Sequence, residues 1–141
     1  MTRLVYPVKP KSAPRPRVTK FGTYNDKSYT AWKKGLALIA RTKFKEPLTG
    51  PVEMRIDFFF NHPKSWSKKK KQETIWHTSR PDIDNLQKSC MDSLDVEKSS
   101  LIAKEAIKGI AYIDDSQVCY LTSRKQYCDN FEGVVIEILA L

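Results

Sequence analysis

Three features of the sequence predict an α+β fold built on a mixed or antiparallel β-sheet. Residues 28–45 carry apolar side chains at helical spacing, residues 52–60 alternate in strand fashion, and the chain beyond residue 110 divides into short apolar runs of strand length. With 141 residues, 40% hydrophobic and 29% charged, the chain fits one globular domain over residues 1–141 rather than a disordered or fibrous polymer.

Each element follows from its local pattern. Residues 3–8 (RLVYPV) can start an edge strand, but Pro7, Pro10, Pro14 and Pro16 forbid a regular helix or central strand from there to Val18, so residues 1–20 form a basic, proline-rich arm. Ala31, Trp32, Leu36, Ile39 and Ala40 share one helical face until Pro47 stops the pattern. After the Gly50-Pro51 turn, Val52, Met54, Ile56, Phe58 and Phe60 alternate with Glu53, Arg55, Asp57 and Phe59, as in a central strand with one buried face. Residues 61–78 contain PKSWSKKKKQE, which would bury nothing as helix or strand and reads as a basic, mobile loop. Ile83, Leu86, Cys90, Met91 and Leu94 give a second helix, with Pro81 just ahead of its first turn, where a missing donor does no harm. Leu101, Ile102, Ala106 and Ile107 suggest a short third helix ending near Gly109. Residues 110–113, 116–122 and 133–141 read as strands.

The formal net charge is +9, which gives the surface a positive potential and makes nucleic acid the first candidate partner. The arm carries Arg3, Lys9, Lys11, Arg15, Arg17 and Lys20, with no acid before Asp26. Arg15 and Arg17, the consecutive Lys68, Lys69, Lys70 and Lys71, and Arg80 are therefore the candidate DNA contacts; a solvated charged surface is the plainer alternative. Tyr6, Tyr24 and Trp66 are candidates to stack on DNA, whereas Trp32, Phe58 and Phe60 belong to the core. Cys90, Cys119 and Cys128 form no CxxC pair, so neither a disulfide framework nor a zinc site is indicated. The N-terminus lacks the apolar core of a secretory signal and no apolar run reaches about 18 residues, which predicts a cytoplasmic protein without a membrane partner.

Against this basic background the acids concentrate at two places. Asp82 and Asp84 flank a helix start, and Asp114-Asp115 lies between two expected strands. Residues two apart within a helix point to nearly opposite sides, so Asp82 and Asp84 converge only if Asp82 stands at or before the cap. Two carboxylates about 4 Å apart repel by roughly 4 kcal/mol at an effective dielectric of 20, a cost that a divalent cation removes. Oxygen-only ligands suit Mg2+, with Mn2+ as a substitute, and such an ion assists phosphodiester hydrolysis. Lys88, four residues after Asp84, is placed either to meet a phosphate or to form a surface ion pair. Taken singly, Asp82 also reads as a cap and Asp114-Asp115 as a turn.

The run R-P-D-I-D-N-L-Q-K (Arg80 to Lys88) and the downstream Y-I-D-D-S-Q-V (Tyr112 to Val118) closely resemble the crossover junction endodeoxyribonuclease family RusA. A downstream Asp in D-x-L, here Asp92 to Leu94, and the Pro10 to Val18 segment are also similar. The resemblance implies a homodimeric, Mg2+-dependent nuclease, often carried by phages and prophages, that nicks two strands of a four-way DNA junction symmetrically. By position it assigns Asp82, Asp84 and Asp115 as metal ligands and catalytic residues and Lys88 as a catalytic contact to the scissile phosphate. One departure is the segment DVEKSSLIAKEAIK after Leu94, longer than the family's usual link, which marks residues 95–108 as an insertion. Two other readings remain: a nuclease for branched DNA in general, and a DNA-binding module in which the aspartates are caps and turns. The second predicts salt-dependent binding without cleavage.

Overall fold

In the computed structural model, which describes residues 1–14, 17–19, 22–24, 27–94 and 110–141, a four-stranded mixed sheet carries helices on one face. In chain order the elements are β1 (Thr2–Tyr6), β2 (Arg17–Thr19), β3 (Gly22–Tyr24), α1 (Lys27–Lys43), β4 (Val52–Phe60), α2 (Lys68–Glu73), α3 (Ile83–Leu94), β5 (Val118–Tyr127) and β6 (Gly133–Ala140). A 3-10 turn, Asp115–Gln117, leads into β5. The strand order is β1-β6-β4-β5, with β5 parallel to β4 and the other pairs antiparallel. This is the expected α+β class, with β4 interior as its alternation requires. The short β2–β3 hairpin is separate and begins at Arg17, inside the stretch expected to be irregular.

The alternation of β4 becomes the core. Val52, Met54, Ile56, Phe58 and Phe60 are buried against α1 and α3, which contribute Trp32, Leu36, Ala37, Ala40, Leu86 and Cys90. Burying one such apolar side chain is worth about 1.5–3 kcal/mol, so this face holds the fold together. On the other face of β4, Arg55 pairs with Glu53 (3.4 Å) and Arg124 of β5 with Asp57 (2.7 Å). Tyr6 belongs to the core rather than to a DNA surface. Its hydroxyl donates to the Trp32 carbonyl at 3.0 Å, its ring meets Trp32 edge-on, and Gly35, having no side chain, leaves room for it.

Two expectations change. The stretch 61–78 is not free of regular structure: Ser67 caps α2, its hydroxyl accepting from Lys70 N–H at 3.1 Å. Because α2 buries no residue, it leaves no hydrophobic periodicity to read. Residues 110–113 form no strand; Ile110, Ala111 and Tyr112 are all buried, and Tyr112 makes one parallel bridge to Leu48. The expected helix at 101–109, the 95–108 insertion and Arg15 lie outside the described residues, as does the side chain of Arg17. No helix among the described residues is long and apolar enough to cross a membrane.

Candidate active site

Asp82 and Asp84 stand together at the start of α3. The Asp82 carbonyl accepts the Leu86 N–H at 3.2 Å, which makes Asp82 the cap residue, and Asp84 lies in the first turn; both are exposed. The positive end of the helix dipole favours carboxylates there. Two contacts fix the approach to this cap. Lys125 of β5 donates its ammonium to the carbonyls of Ser79 (2.8 Å) and Pro81 (2.7 Å), and Gln87 donates to the Ser123 hydroxyl. The Arg80–Pro81 peptide bond is cis. The N-terminal arm crosses in front: Trp32 Nε1 donates to the Lys9 carbonyl (3.0 Å) and Ala13 N–H to the Asn85 carbonyl (3.1 Å). An open cleft of about 610 Å³ results, lined by Pro10, Lys11, Ser12, Arg80, Pro81, Asp82 and Asn85. A carboxylate thus faces a cleft with cations on both sides.

Lys88 is exposed one turn along α3, with its ammonium 3.3 Å from the Asp92 carboxylate. Asp92 is buried beside Tyr29 and Lys33 of α1. Burial pushes the Tyr29 hydroxyl well above its ordinary value, and the negative charge of Asp92 adds to the effect. Burial likewise pulls the Lys33 ammonium down, with Asp92 opposing the shift. Lys33 also lies over the Tyr29 ring, 4.8 Å from its centre. Asp92 is marked in the sequence only by the D-x-L pattern, and no sequence signal marks Lys33 or Lys125.

Asp115 is elsewhere. Asp114 caps the 3-10 turn by accepting Ser116 N–H (3.1 Å), while the side-chain Oε1 of Gln117 accepts the N–H groups of Ile113 and Asp114. The Gln117 amide nitrogen donates to Leu48 (2.7 Å) and Gly50 (2.9 Å), which fastens the turn where β4 and β5 begin. Asp82 is anchored by Lys125, near where β5 ends. At roughly 3.3 Å per residue, Val118 and Lys125 are about 23 Å apart along the strand. The structure therefore places Asp82 at the cap and Asp84 in the first turn of α3, at one end of the sheet, and Asp115 toward the other. No group of three His, Cys, Asp or Glu side chains among the described residues of one chain is placed to hold a metal ion.

The family model for endodeoxyribonuclease RusA matches residues 7–139, which takes in both acidic segments and the sheet between them. The chain belongs to the RusA family. It is also similar to the uncharacterized protein YqaN of Bacillus subtilis (strain 168), 33% identical over 105 residues that cover 70% of this chain and 65% of that protein, so the match spans just under two thirds of the relative.

The described basic residues expected to contact DNA in this RusA member are divided between α2 and the rim of the acidic cleft. Lys68, Lys69 and Lys70 are exposed on α2, Lys71 is half-buried, and Arg80 is exposed on the cleft rim. Trp66 is held rather than free, edge-on to Tyr127 (5.4 Å) and under the Lys70 ammonium (4.1 Å). His62 bonds through both ring nitrogens, to the Asp129 carboxylate (2.9 Å) and the Thr74 carbonyl (2.8 Å). Two acceptors require two N–H donors, so the geometry selects the imidazolium. His77, stacked on Phe60 at 4.1 Å, is instead held below its ordinary value by burial and by the charge of Lys125. A second cavity, about 420 Å³, adjoins the first through Arg80 and Pro81 and is lined by Lys9, His62, Lys64, His77 and Tyr127 among others. Cys90 is buried and Cys119 exposed, and all three cysteines are free.

Proposed function

We propose that this chain is a Mg2+-dependent RusA endonuclease that resolves four-way DNA junctions by paired, symmetric phosphodiester hydrolysis, in DNA recombination and repair. One observation carries the reading: Asp82, at the cap of the helix whose first turn holds Asp84, faces a cleft whose rim presents Lys11 and Arg80. A protein that only bound DNA would gain affinity by losing acids at that position. In this reading Lys11 and Arg80 hold phosphate oxygens in the cleft, the ammonium of Lys88 meets charge developing on the phosphoryl group, and Asn85 offers an amide to the bound strand. Lys68, Lys69, Lys70 and Lys71, with Arg15 and Arg17 of the arm, neutralise the backbone further out.

The carboxylate-only donor set supports Mg2+, with Mn2+ as its substitute. Within one chain, however, Asp115 does not join Asp82 and Asp84, so a single chain as it stands does not supply the three-carboxylate site.

The test compares wild type and Asp82→Asn on a labelled four-way junction and a matched linear duplex, with and without Mg2+. Symmetric Mg2+-dependent nicking of the junction by wild type, with binding but no nicking by the variant, is expected. Equal cutting of the linear duplex would make it a nuclease of broader branched-DNA or general specificity. Binding without cutting by wild type would sink the catalytic reading.

A further inference from the structure

The second cavity, about 420 Å³, shares Arg80 and Pro81 with the acidic cleft. Its size falls among small-ligand sites, which span about 300–1,000 Å³. Its walls are rings. His77 stacks on Phe60 at 4.1 Å and His62 on Tyr127 at 4.5 Å, and the two pairs meet where His77 and Tyr127 stand 5.0 Å apart, tilted by 56°. His62 uses both nitrogens on Asp129 and Thr74, so it offers the cavity only its ring. His77 differs. It is 9% exposed, and its Nδ1 is enclosed without a hydrogen-bond partner among the described residues. Buried polar groups are normally paired. Burial and the charge of Lys125 hold this ring below its ordinary value, so near neutral pH it carries one donor and one acceptor. Orphaned N–H groups are rarer than orphaned acceptors, which makes Nδ1 the bare nitrogen and leaves Nε2–H as the group His77 has for a ligand. Glu132 lines the same cavity; one of its oxygens accepts the Asn61 N–H at 2.9 Å, and acceptor capacity remains on the other.

We propose that this cavity takes one unstacked nucleobase, from the nucleotide next to the phosphate held at Asp82, and meets its edge with His77 and Glu132. The inference rests on the nuclease reading of the acidic cleft above. Chemistry chooses a base over a phosphate. A phosphate offers only acceptors and is repelled by Glu132, whereas every base carries both an acceptor and an N–H on its pairing edge, which match Nε2–H and the carboxylate. Aromatic side chains stack any base, because every base has a π-face. The exposed cations Lys9, Lys64 and Arg80 also line the cavity and suit the phosphates on either side of the base. Because Arg80 and Pro81 belong to both hollows, a strand with one phosphate in the acidic cleft has its neighbouring nucleotide at the second cavity. The arm follows the same path, with Lys9 at the second cavity and Pro10 and Lys11 at the first. Extruding a base costs least where it is already unpaired, and a branch point supplies such a base more readily than an intact duplex. Core packing accounts for Phe60, which is 3% exposed, but not for an unpartnered histidine nitrogen facing the same hollow as a carboxylate.

A binding cycle tests this. Fluorescence anisotropy without divalent metal measures affinity for a labelled four-way junction in which one nucleotide at a time around the crossover is made abasic, or carries a non-polar base isostere that stacks but forms no hydrogen bond. At one position wild type should lose about tenfold in affinity with the base removed, and the isostere should restore part of it. His77→Phe keeps a ring against Phe60 and should bind the intact junction as wild type binds the isostere, with the isostere costing it nothing further. Glu132→Gln, which still accepts from Asn61 but turns an amide donor toward the base, should become equally insensitive to the isostere, and circular dichroism should show both variants folded. A junction with no position sensitive to base loss, or losses from the isostere and from His77→Phe that simply add, overturns the base site. Nicks mapped with Mg2+ should fall next to the sensitive nucleotide; nicks elsewhere overturn its link to the acidic cleft. A wild type that shows the binding cycle but nicks nothing sinks the catalytic reading and leaves the base site standing, whereas one that binds no junction overturns both.

Discussion

His62 and Asp129 form an ion pair at 2.9 Å that joins the loop carrying α2 to the turn between β5 and β6. Burial works against the charged ring, but the hydrogen bonds to Thr74 and Asp129 outweigh it and raise His62 above its ordinary 6.5. The same contacts hold the Asp129 carboxyl below its ordinary 3.8.

The pair therefore has a defined pH window. A raised histidine contributes its stabilisation fully below 6.5 and loses it as pH rises through the folded-state value; a depressed carboxylate contributes above 3.8 and loses it as pH falls through its own. The clamp is strongest between those limits. Trp66, with its ring 5.8 Å from His62, reports on it. Its fluorescence should change on raising pH past 6.5 in wild type, and Asp129→Asn should move that change to lower pH. An unchanged titration in the variant would show that the clamp does not depend on the His62 charge.

Asp82→Asn separates chemistry from folding. Asparagine caps helices about as well as aspartate, and loss of charge at an exposed first turn costs about 0.3–1 kcal/mol. Urea denaturation should thus show stability within about 1 kcal/mol of wild type, while nicking falls by about 100-fold or more, equivalent to about 2.7 kcal/mol of barrier. Equal losses of stability and activity would return Asp82 to the role of a cap alone.

Much of this architecture was legible because burial imprints periodicity. Trp32, Leu36 and Ala40 announced α1, and the alternation from Val52 to Phe60 announced the interior strand β4. The signal failed where burial is absent or unbroken. The lysines of α2 bury nothing, and Ile110, Ala111 and Tyr112 are buried in succession without belonging to a strand. β5 extends to Tyr127, beyond the expected 122, because Ser123, Arg124, Lys125 and Gln126 form a polar end with no apolar alternation. The place of Asp82 at the cap of α3, with Asp84 in its first turn, could be read from Pro81 and the apolar spacing that follows it. The position of Asp115 could not, since it depends on α3 and β5 running in opposite directions, which brings the Tyr112 hydroxyl to the Met91 carbonyl at 2.8 Å rather than bringing Asp115 to Asp82.

Asp92 supports α3 from within. Asp92→Asn leaves the buried Lys33 without its nearest opposing charge and frees Lys88 from its 3.3 Å contact. Breaking a buried pair costs about 3–5 kcal/mol, and the exposure of Lys88 reduces this to about 2–3 kcal/mol. Urea melts of Asp92→Asn should show that loss, and adding Lys33→Met should recover part of it by removing the charge left unpaired. If the double variant is less stable than Asp92→Asn alone, Lys33 does not depend on Asp92.

Lys125 and the lysines of α2 carry the same charge to different ends. The ammonium of Lys125 is engaged by the carbonyls of Ser79 and Pro81, whereas Lys68 and Lys69 are exposed. Lys125→Met keeps the aliphatic stem and releases the segment leading to Asp82; hydrogen bonds to a charged donor are worth about 1.5–3 kcal/mol, less where water competes, so a loss of about 1–2 kcal/mol is expected in urea. Its nicking rate should fall while the salt dependence of junction binding keeps its slope, because no phosphate contact is lost. Lys68→Gln with Lys69→Gln should do the reverse, lowering the slope of log affinity against log salt by about 0.9 for each phosphate contact removed and leaving the rate on bound DNA unchanged. A reduced slope in Lys125→Met would place its ammonium on DNA and remove it from the support of Asp82.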